Sequence, residues 1–205
     1  MGMLVQTFVR VLVAAIMLIA ATARGMASPA CDVALEALRA SFPGHQGRLA
    51  LDGMGNLQRV RIFLREAGPC LSKAYADNPA DRCGWVDPNV ATTRVRPPSR
   101  ETLESLASAP IQDAARACPT LGRMSHAALG WTPQTSRSMR IKRDGLYDHT
   151  SVGITLPVVS ASRGEAIAWV ESQSGPLAGG GGFVLLRSDL GGRWRVAARF
   201  PGFVS

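Results

Sequence analysis

The chain has 205 residues, 46 % of them hydrophobic, and a formal net charge of +8 at pH 7. This length corresponds to about one domain and suffices to bury a sizeable core. Only Lys73 and Lys142 are lysines and all other basic side chains are arginines. Such a bias towards arginine is typical of genomic base composition, so the positive charge does not by itself indicate a nucleic-acid partner, and we expect a solvated arginine-rich surface.

The first segment is typical of a signal peptide, which we place at residues 1–27. Arg10 precedes the unbroken apolar run VLVAAIMLIAA (11–21), and small residues surround a cleavage site after Ala27, with Ala23 as the second choice. The run is shorter than the roughly 20 apolar residues of a spanning helix, so we expect no stable transmembrane span after cleavage. An uncleaved anchor is the alternative. Loss of Arg10 and Arg24 lowers the net charge from +8 to +6, and the predicted location is periplasmic or secreted.

Four cysteines follow the signal, at positions Cys31, Cys70, Cys83 and Cys118. An even number in an exported protein predicts two disulfides, for which three pairings exist. We favour Cys70–Cys83, which closes a short loop, and Cys31–Cys118, which ties an N-terminal helix to a later one. Four free or partly paired thiols are the alternative. The sequence contains no CxxC pair and its three histidines are scattered, so we predict no metal site and no cofactor.

The N-terminal part of the predicted single domain (28–205) is expected to be mainly helix and loop, over residues 28–136. Helical spacing of apolar residues predicts a helix in CDVALEALRASF (31–42) and another over Leu57–Ala67, although β-branched residues in the second leave a strand as the alternative. Ser99 is the expected N-cap of a third helix. A short fourth helix is expected to have Pro110 near its first position.

From residue 137 to residue 205 the apolar pattern approaches a period of two, which predicts an antiparallel sheet. Asp144-Gly145 and SDLGGR (188–193) are hairpin cues. Pro157 places its strand at an edge or a bulge. Three or four strands follow one another without an intervening helix. The predicted fold class is therefore α+β, with a helical, loop-rich N-terminal part packed on a C-terminal antiparallel β-meander.

A glycine-rich stretch, SGPLAGGGGFVLL (174–186), raises the question of a phosphate-binding loop. Such a loop leads into a helix, and its Walker form requires Lys and Ser or Thr after the last glycine. Here Gly182 is followed by FVLL, which predicts a strand. We therefore predict a hairpin connection whose glycines permit a positive φ or a close backbone approach, as at a bulge. Either another element or a ligand is expected to lie against the candidate residues, which are Gly175, Gly179, Gly180, Gly181 and Gly182.

Two further groups of side chains are candidates for binding or catalysis. Arg140 and Lys142 are predicted to share one strand face, a candidate anion-binding face for which simple solvation is the alternative. His149 lies beside Asp148 with Ser151 nearby, but adjacent strand residues point to opposite faces, which is poor geometry for a catalytic triad. No catalytic residue is predicted.

The last sixty residues resemble the C-terminal region of a scattered set of exported bacterial proteins of unknown function. Their pattern is AlvYv…GxLxGxGyyvLL…GkWxv…W[IV]S, and Phe203 here replaces the usual Trp. The resemblance implies a meander and an exported class, and it implies no activity. The matching positions are 166–170, Gly175, Leu177, the glycine run, 184–186, 193–196 and Val204-Ser205.

The sequence favours a non-enzymatic binding or interaction domain of the bacterial envelope, whose partner is an envelope component or an anionic surface. The alternative is a small hydrolase-like enzyme whose site is assembled only in the fold. A pocket lined by His126 or His149 beside a carboxylate would favour the enzyme. A flat basic face around Arg140 would favour binding.

Overall fold

The structure is a computed structural model that describes residues 29–43, 49–54, 56–77, 83–90, 93–131 and 140–204. The predicted signal peptide, the histidine at position 45 and the segments 78–82, 91–92 and 132–139 lie outside the described residues. None of the helices within these ranges is both long enough and apolar enough to cross a membrane.

The N-terminal half forms helices where the apolar spacing predicts them. Side-chain caps fix two of their starts: the Asn56 side chain accepts a hydrogen bond from the Arg59 amide at 3.1 Å, and the Ser99 hydroxyl accepts one from the Thr102 amide at 3.3 Å. The described helices are α1 (Pro29–Ser41), α2 (Leu57–Ala67), α3 (Arg100–Ser108), α4 (Ala114–Ala117) and α5 (Leu121–Leu129).

The expected helix start near Pro110 is wrong. Helix α4 begins at Ala114, and the Asp113 side chain accepts a hydrogen bond from the Ala115 amide at 2.9 Å. An aspartate oxygen satisfies a free amide of the first turn, which a proline ring cannot do.

A six-stranded sheet forms the centre of the fold, with the order β1-β2-β4-β5-β6 and with β3 beside β4. The pairings from β2 to β6 are antiparallel, and the α+β prediction is confirmed. The three-residue strand β1 was not predicted, and it pairs in parallel with β2. The strands are β1 (Leu49–Leu51), β2 (Thr150–Ile154), β3 (Val158–Ser160), β4 (Glu165–Gly175), β5 (Ala178–Ser188) and β6 (Trp194–Val204).

Helices cover both faces of this sheet, whereas the sequence predicted one helical layer. On one side of the sheet, called the α1 face, α1 and α5 pack against Val152 and Leu186. On the other side, called the α2 face, α2 and α3 pack against Trp169 and Phe183. The first six residues of β4 are all buried, and a strand covered on both sides carries such a continuous run.

Both predicted disulfides are present. Cys31 is bonded to Cys118, with their Cα atoms 5.8 Å apart, and Cys70 to Cys83, with their Cα atoms 5.1 Å apart. The first joins α1 to the end of α4. The second joins the turn after α2 to the segment that carries Trp85. Each therefore fastens a helix of one face to the structure around it.

Candidate functional site

An apolar groove lies between α2 and α3 on the α2 face of the sheet. It encloses about 530 Å³, a volume within the usual range of small-molecule sites. Leucine and isoleucine side chains from both helices and the turns beyond them line it. Those residues are Leu64, Leu71, Leu103 and Ile111, with Ala107, Ala109 and Pro110 beside them.

Two arginines of α2, Arg61 and Arg65, complete the lining of this groove. They are four residues apart and therefore lie side by side on the helix. Both are exposed, and no Asp or Glu is among the residues that line the groove. Neither guanidinium forms an ion pair with any carboxylate of the described ranges. The groove thus combines an apolar floor with two uncompensated positive charges.

A buried carboxylate holds one wall of the groove in place. Glu165, at the start of β4, is 1 % exposed. It accepts hydrogen bonds from the Ser99 amide at 2.8 Å, from the Thr102 hydroxyl at 2.8 Å and from Arg187 Nε at 3.1 Å. Ser99 and Thr102 form the first turn of α3. The Glu165 carboxylate therefore anchors the N-terminus of α3, where a negative charge also complements the helix dipole.

The electrostatics of Glu165 agree with this structural role. Burial alone would raise its pKa, but the hydrogen bonds from Ser99, Thr102 and Arg187 outweigh burial and lower the pKa to about 2. A second arginine, Arg96, approaches the same carboxylate at 3.4 Å. The group is ionised and fully engaged, so it holds the fold together and is not available for proton transfer at neutral pH.

The glycine run lies inside a strand, which corrects the expectation of a hairpin connection. Gly179–Gly182 belong to β5 and pair with β4 through Gln173–Val170. The connection itself is Pro176-Leu177, with Gly175 opposite Ala178 across the turn. None of the four glycines has a positive φ. The run therefore does not serve to reverse the chain.

A close approach of other elements explains why side chains are absent from part of the run. A Cβ at Gly181 would lie 2.9 Å from Trp169 Cζ2 and 3.0 Å from Glu171 Cβ, and one at Gly182 would overlap the Phe200 carbonyl oxygen. The pairing with β6 shifts register between Gly181 and Gly182, an irregularity within the glycine run for which the sequence suggested a bulge. At Gly181 and Gly182, the atoms that pack against the backbone therefore belong to the protein itself.

Replacing Gly182 by alanine is expected to lower the free energy of unfolding by about 1–3 kcal/mol, because a rigid carbonyl oxygen occupies the space of the new methyl group. Gly122→Ala is the matched control, since no atom lies within 4 Å of a Cβ there and the site is helical. The free energy of unfolding of this control is expected to rise by about 0.5–1 kcal/mol. Urea unfolding of both variants measures the difference, and equal stabilities would contradict the packing role of Gly182.

The regular strand expected to carry Arg140 and Lys142 does not form, and the anion-binding face stays a prediction. Both residues are exposed, but they lie in an irregular segment whose pairing is a single bridge from Ile141 to Tyr147. Lys142 is 3.8 Å from the Asp144 carboxylate. Asp144-Gly145 does form the predicted turn, and that turn reverses the segment before a regular strand develops.

His149 is placed between two carboxylates. Its Nδ1 is 2.8 Å from Asp148 Oδ1 and its Nε2 is 3.5 Å from Asp52 Oδ2. Asp52 follows β1 and was not singled out in the sequence, because the parallel pairing of β1 with β2 is what brings it here. Both ring nitrogens face acids, so neither is directed at a hydroxyl that it could activate. His126 Nδ1 instead lies 2.5 Å from the Trp131 carbonyl oxygen at the end of α5.

Sequence reasoning missed the groove, although RVRIFLREA contained a usable signal. An Arg pair four residues apart, flanked by leucine and phenylalanine, indicates a helix whose apolar face meets a basic stripe. What the pattern lacked was the opposite wall, since α3 lies about forty residues further along the chain.

Comparisons with family models, curated proteins and solved structures find no match to this chain.

Proposed function

We propose that this protein is an exported, non-enzymatic binding domain that takes an amphiphilic anion, an acyl chain with a carboxylate or phosphate head, in the groove between α2 and α3. The observation that carries the proposal is the pairing of an apolar floor with Arg61 and Arg65 in the absence of any acidic lining residue. The chain of such a ligand lies on Leu64 and Leu103, and its head faces the two guanidinium groups. Two disulfides and the absence of a spanning helix in the described ranges are compatible with a periplasmic or secreted location.

Each half of the groove selects one half of such a ligand. Burying apolar surface supplies about 25 cal/mol per Å² removed from water. A hydrogen bond to a charged group contributes about 1.5–3 kcal/mol. A cationic amphiphile of the same length gains the free energy of apolar burial, but its head group is repelled by the positive charges of Arg61 and Arg65. The groove is therefore expected to discriminate by the charge of the head group.

Isothermal titration calorimetry with sodium dodecanoate, below its micelle concentration, tests the proposal. We expect saturable binding near one ligand per chain, and little binding of dodecyltrimethylammonium. The double substitution R61Q/R65Q should weaken dodecanoate binding by roughly tenfold to a hundredfold, since it removes charge-assisted hydrogen bonds. Arg123→Gln, on exposed α5 surface, is the matched control and should bind as the parent does.

A second pair of variants tests the floor of the groove. Ala107→Phe places a ring inside it, whereas Ala128→Phe places the same ring on exposed surface of α5. Loss of dodecanoate binding in the first variant alone supports the site. Unchanged binding by R61Q/R65Q and by Ala107→Phe would overturn the proposal. Vesicles of phosphatidylglycerol and of phosphatidylcholine then distinguish a free acyl anion from a membrane headgroup as the source of the ligand.

A further inference from the structure

Exposed apolar side chains concentrate at one end of the sheet. Among the described residues seven large apolar side chains are exposed, and four of them lie at this end: Ile141, Leu146, Leu177 and Val204. Leu177, in the turn between β4 and β5, is 85 % exposed. Val204 ends β6 opposite Gly180, three residues beyond Leu177. None of the four lines the groove. Apolar clusters on a protein surface mark contact with a partner or a membrane.

Two turns hold this cluster together. The turn at residues 142–145 is followed by Tyr147, whose amide donates to the Ser174 carbonyl oxygen of β4 at 2.7 Å. A Cβ at Gly175, beside the β4–β5 turn, would lie 3.3 Å from Leu146 Cδ2. The first turn therefore packs against the second. Their exposed side chains form the apolar tip, which consists of Ile141, Leu146 and Leu177.

Positive charge surrounds the apolar tip. The exposed cations beside it are Arg140, Lys142 and Arg143. Two acids of the same segment are engaged within it: Asp144 is 3.8 Å from Lys142 Nζ, and the Asp148 carboxylate is 2.8 Å from the histidine ring that follows it. Neither Arg140 nor Arg143 forms an ion pair with a carboxylate of the described ranges. Two uncompensated guanidinium groups therefore flank three exposed apolar side chains.

Charge and area together select the occupant of this surface. A second copy of the chain would bring the same two arginines to a symmetric contact, where like charges repel each other. Three side chains also present less area than the roughly 800 Å² per partner of a stable protein interface. An anionic bilayer attracts the cations to its head groups and accepts the apolar side chains below them, without a matching pocket. The observations therefore favour a bilayer.

We infer that the apolar tip inserts into the surface of an anionic lipid bilayer, with Leu177 among the acyl chains and with Arg140 and Arg143 at the head groups. The apolar contribution and the attraction to anionic lipid add to each other, so both are needed for stable binding. The inference shares the exported location with the proposed function but uses no residue of the groove. Either can therefore fail without the other.

Co-sedimentation of the exported protein with vesicles tests the apolar part. We expect binding to phosphatidylglycerol vesicles and at least roughly tenfold weaker binding to phosphatidylcholine vesicles. Leu177→Gln should weaken binding to phosphatidylglycerol by roughly tenfold, because it removes apolar area that the bilayer buries. Leu190→Gln is the matched control, since Leu190 is also fully exposed but lies in the turn between β5 and β6, at the opposite end of the sheet. It should bind as the parent does.

A pair of double substitutions tests the charge. R140Q/R143Q should weaken binding to phosphatidylglycerol vesicles by roughly tenfold to thirtyfold, and about 0.5 M salt should weaken binding of the parent in the same direction. R61Q/R65Q has the same net charge and is the control, which should keep vesicle binding while it loses dodecanoate binding. Leu177→Gln should show the converse pattern, with dodecanoate binding unchanged.

Several results would overturn the inference. Equal binding by the parent and Leu177→Gln would show that the tip does not insert, and equal binding to both kinds of vesicle would show that charge does not select the bilayer. A loss in R61Q/R65Q without a loss in R140Q/R143Q would assign vesicle binding to the groove. If the parent binds no vesicles, a dimer in sedimentation velocity that Leu177→Gln dissociates would assign the tip to a second copy, and a monomer would assign it to a protein partner.

Discussion

Glu165→Gln is expected to lower the free energy of unfolding by about 3–5 kcal/mol, because the substitution leaves Arg187 partly buried without its counter-charge. The carboxylate accepts hydrogen bonds from Ser99, Thr102 and Arg187, and its side chain is 1 % exposed. Urea unfolding of parent and variant gives the difference. Since the same carboxylate anchors α3, the variant should also bind dodecanoate more weakly.

Glu101→Gln is the matched control for this prediction. Glu101 pairs with Arg163 at 2.7 Å, but both side chains are about half exposed. Exposed ion pairs contribute about 0–1 kcal/mol. If the two substitutions cost the same, burial of Glu165 is not what makes its network important.

The network also predicts how stability depends on pH. The pKa of Glu165 falls from its ordinary value of 4.5 to about 2 in the folded protein. A lowered folded-state pKa gives stability that is fully present above pH 4.5 and is lost as the pH falls towards 2. Over this pH range, the contribution of Glu165 to the free energy of unfolding falls by roughly 3 kcal/mol. Glu165→Gln should flatten that part of the curve, and an unchanged acid limb would contradict the assignment.

Removal of the Cys31–Cys118 disulfide is the second substitution of large expected effect. The bond spans 87 residues, and chain entropy predicts a loss of about 4–5 kcal/mol for a loop of that length. Alanine is the suitable replacement at both positions, since both cysteines are buried in the core on the α1 face of the sheet. Unfolding by urea under non-reducing conditions measures the loss.

The shorter disulfide serves as the comparison. Cys70–Cys83 spans 13 residues, and the same relation gives about 3 kcal/mol. Removing Cys31–Cys118 should therefore cost more than removing Cys70–Cys83. The reverse order would show that local packing near Trp85, rather than loop closure, determines the contribution of each bond.

Local patterns predicted the elements well, because the signals that define them lie within a few residues. Helix α2 follows from its apolar spacing, α3 follows from its Ser99 cap, and β4 to β6 follow from apolar runs separated by turn residues. The two disulfides were predictable from loop lengths and the expected compartment. These features depend little on distant parts of the chain.

Features that depend on distant pairing were missed. Strand β1 has only three residues and is recognisable only through its parallel partner, residues 150–152. That pairing places Asp52 beside His149. The glycine run was assigned to a connection because its close neighbours, Trp169 and Phe200, come from other strands. The groove needs α2 and α3 together, and the carboxylate that positions α3 belongs to β4.

Methyl NMR of the labelled protein during a dodecanoate titration tests the central claim most directly. Leu64, Leu71, Leu103 and Ile111 line the groove, whereas Val152 and Leu186 are buried on the other face of the sheet. The account predicts saturable shifts of the four groove residues, with Val152 and Leu186 unchanged and with no such shifts in R61Q/R65Q. Saturable shifts confined to the α1 face, or no saturable shifts at all, would contradict it.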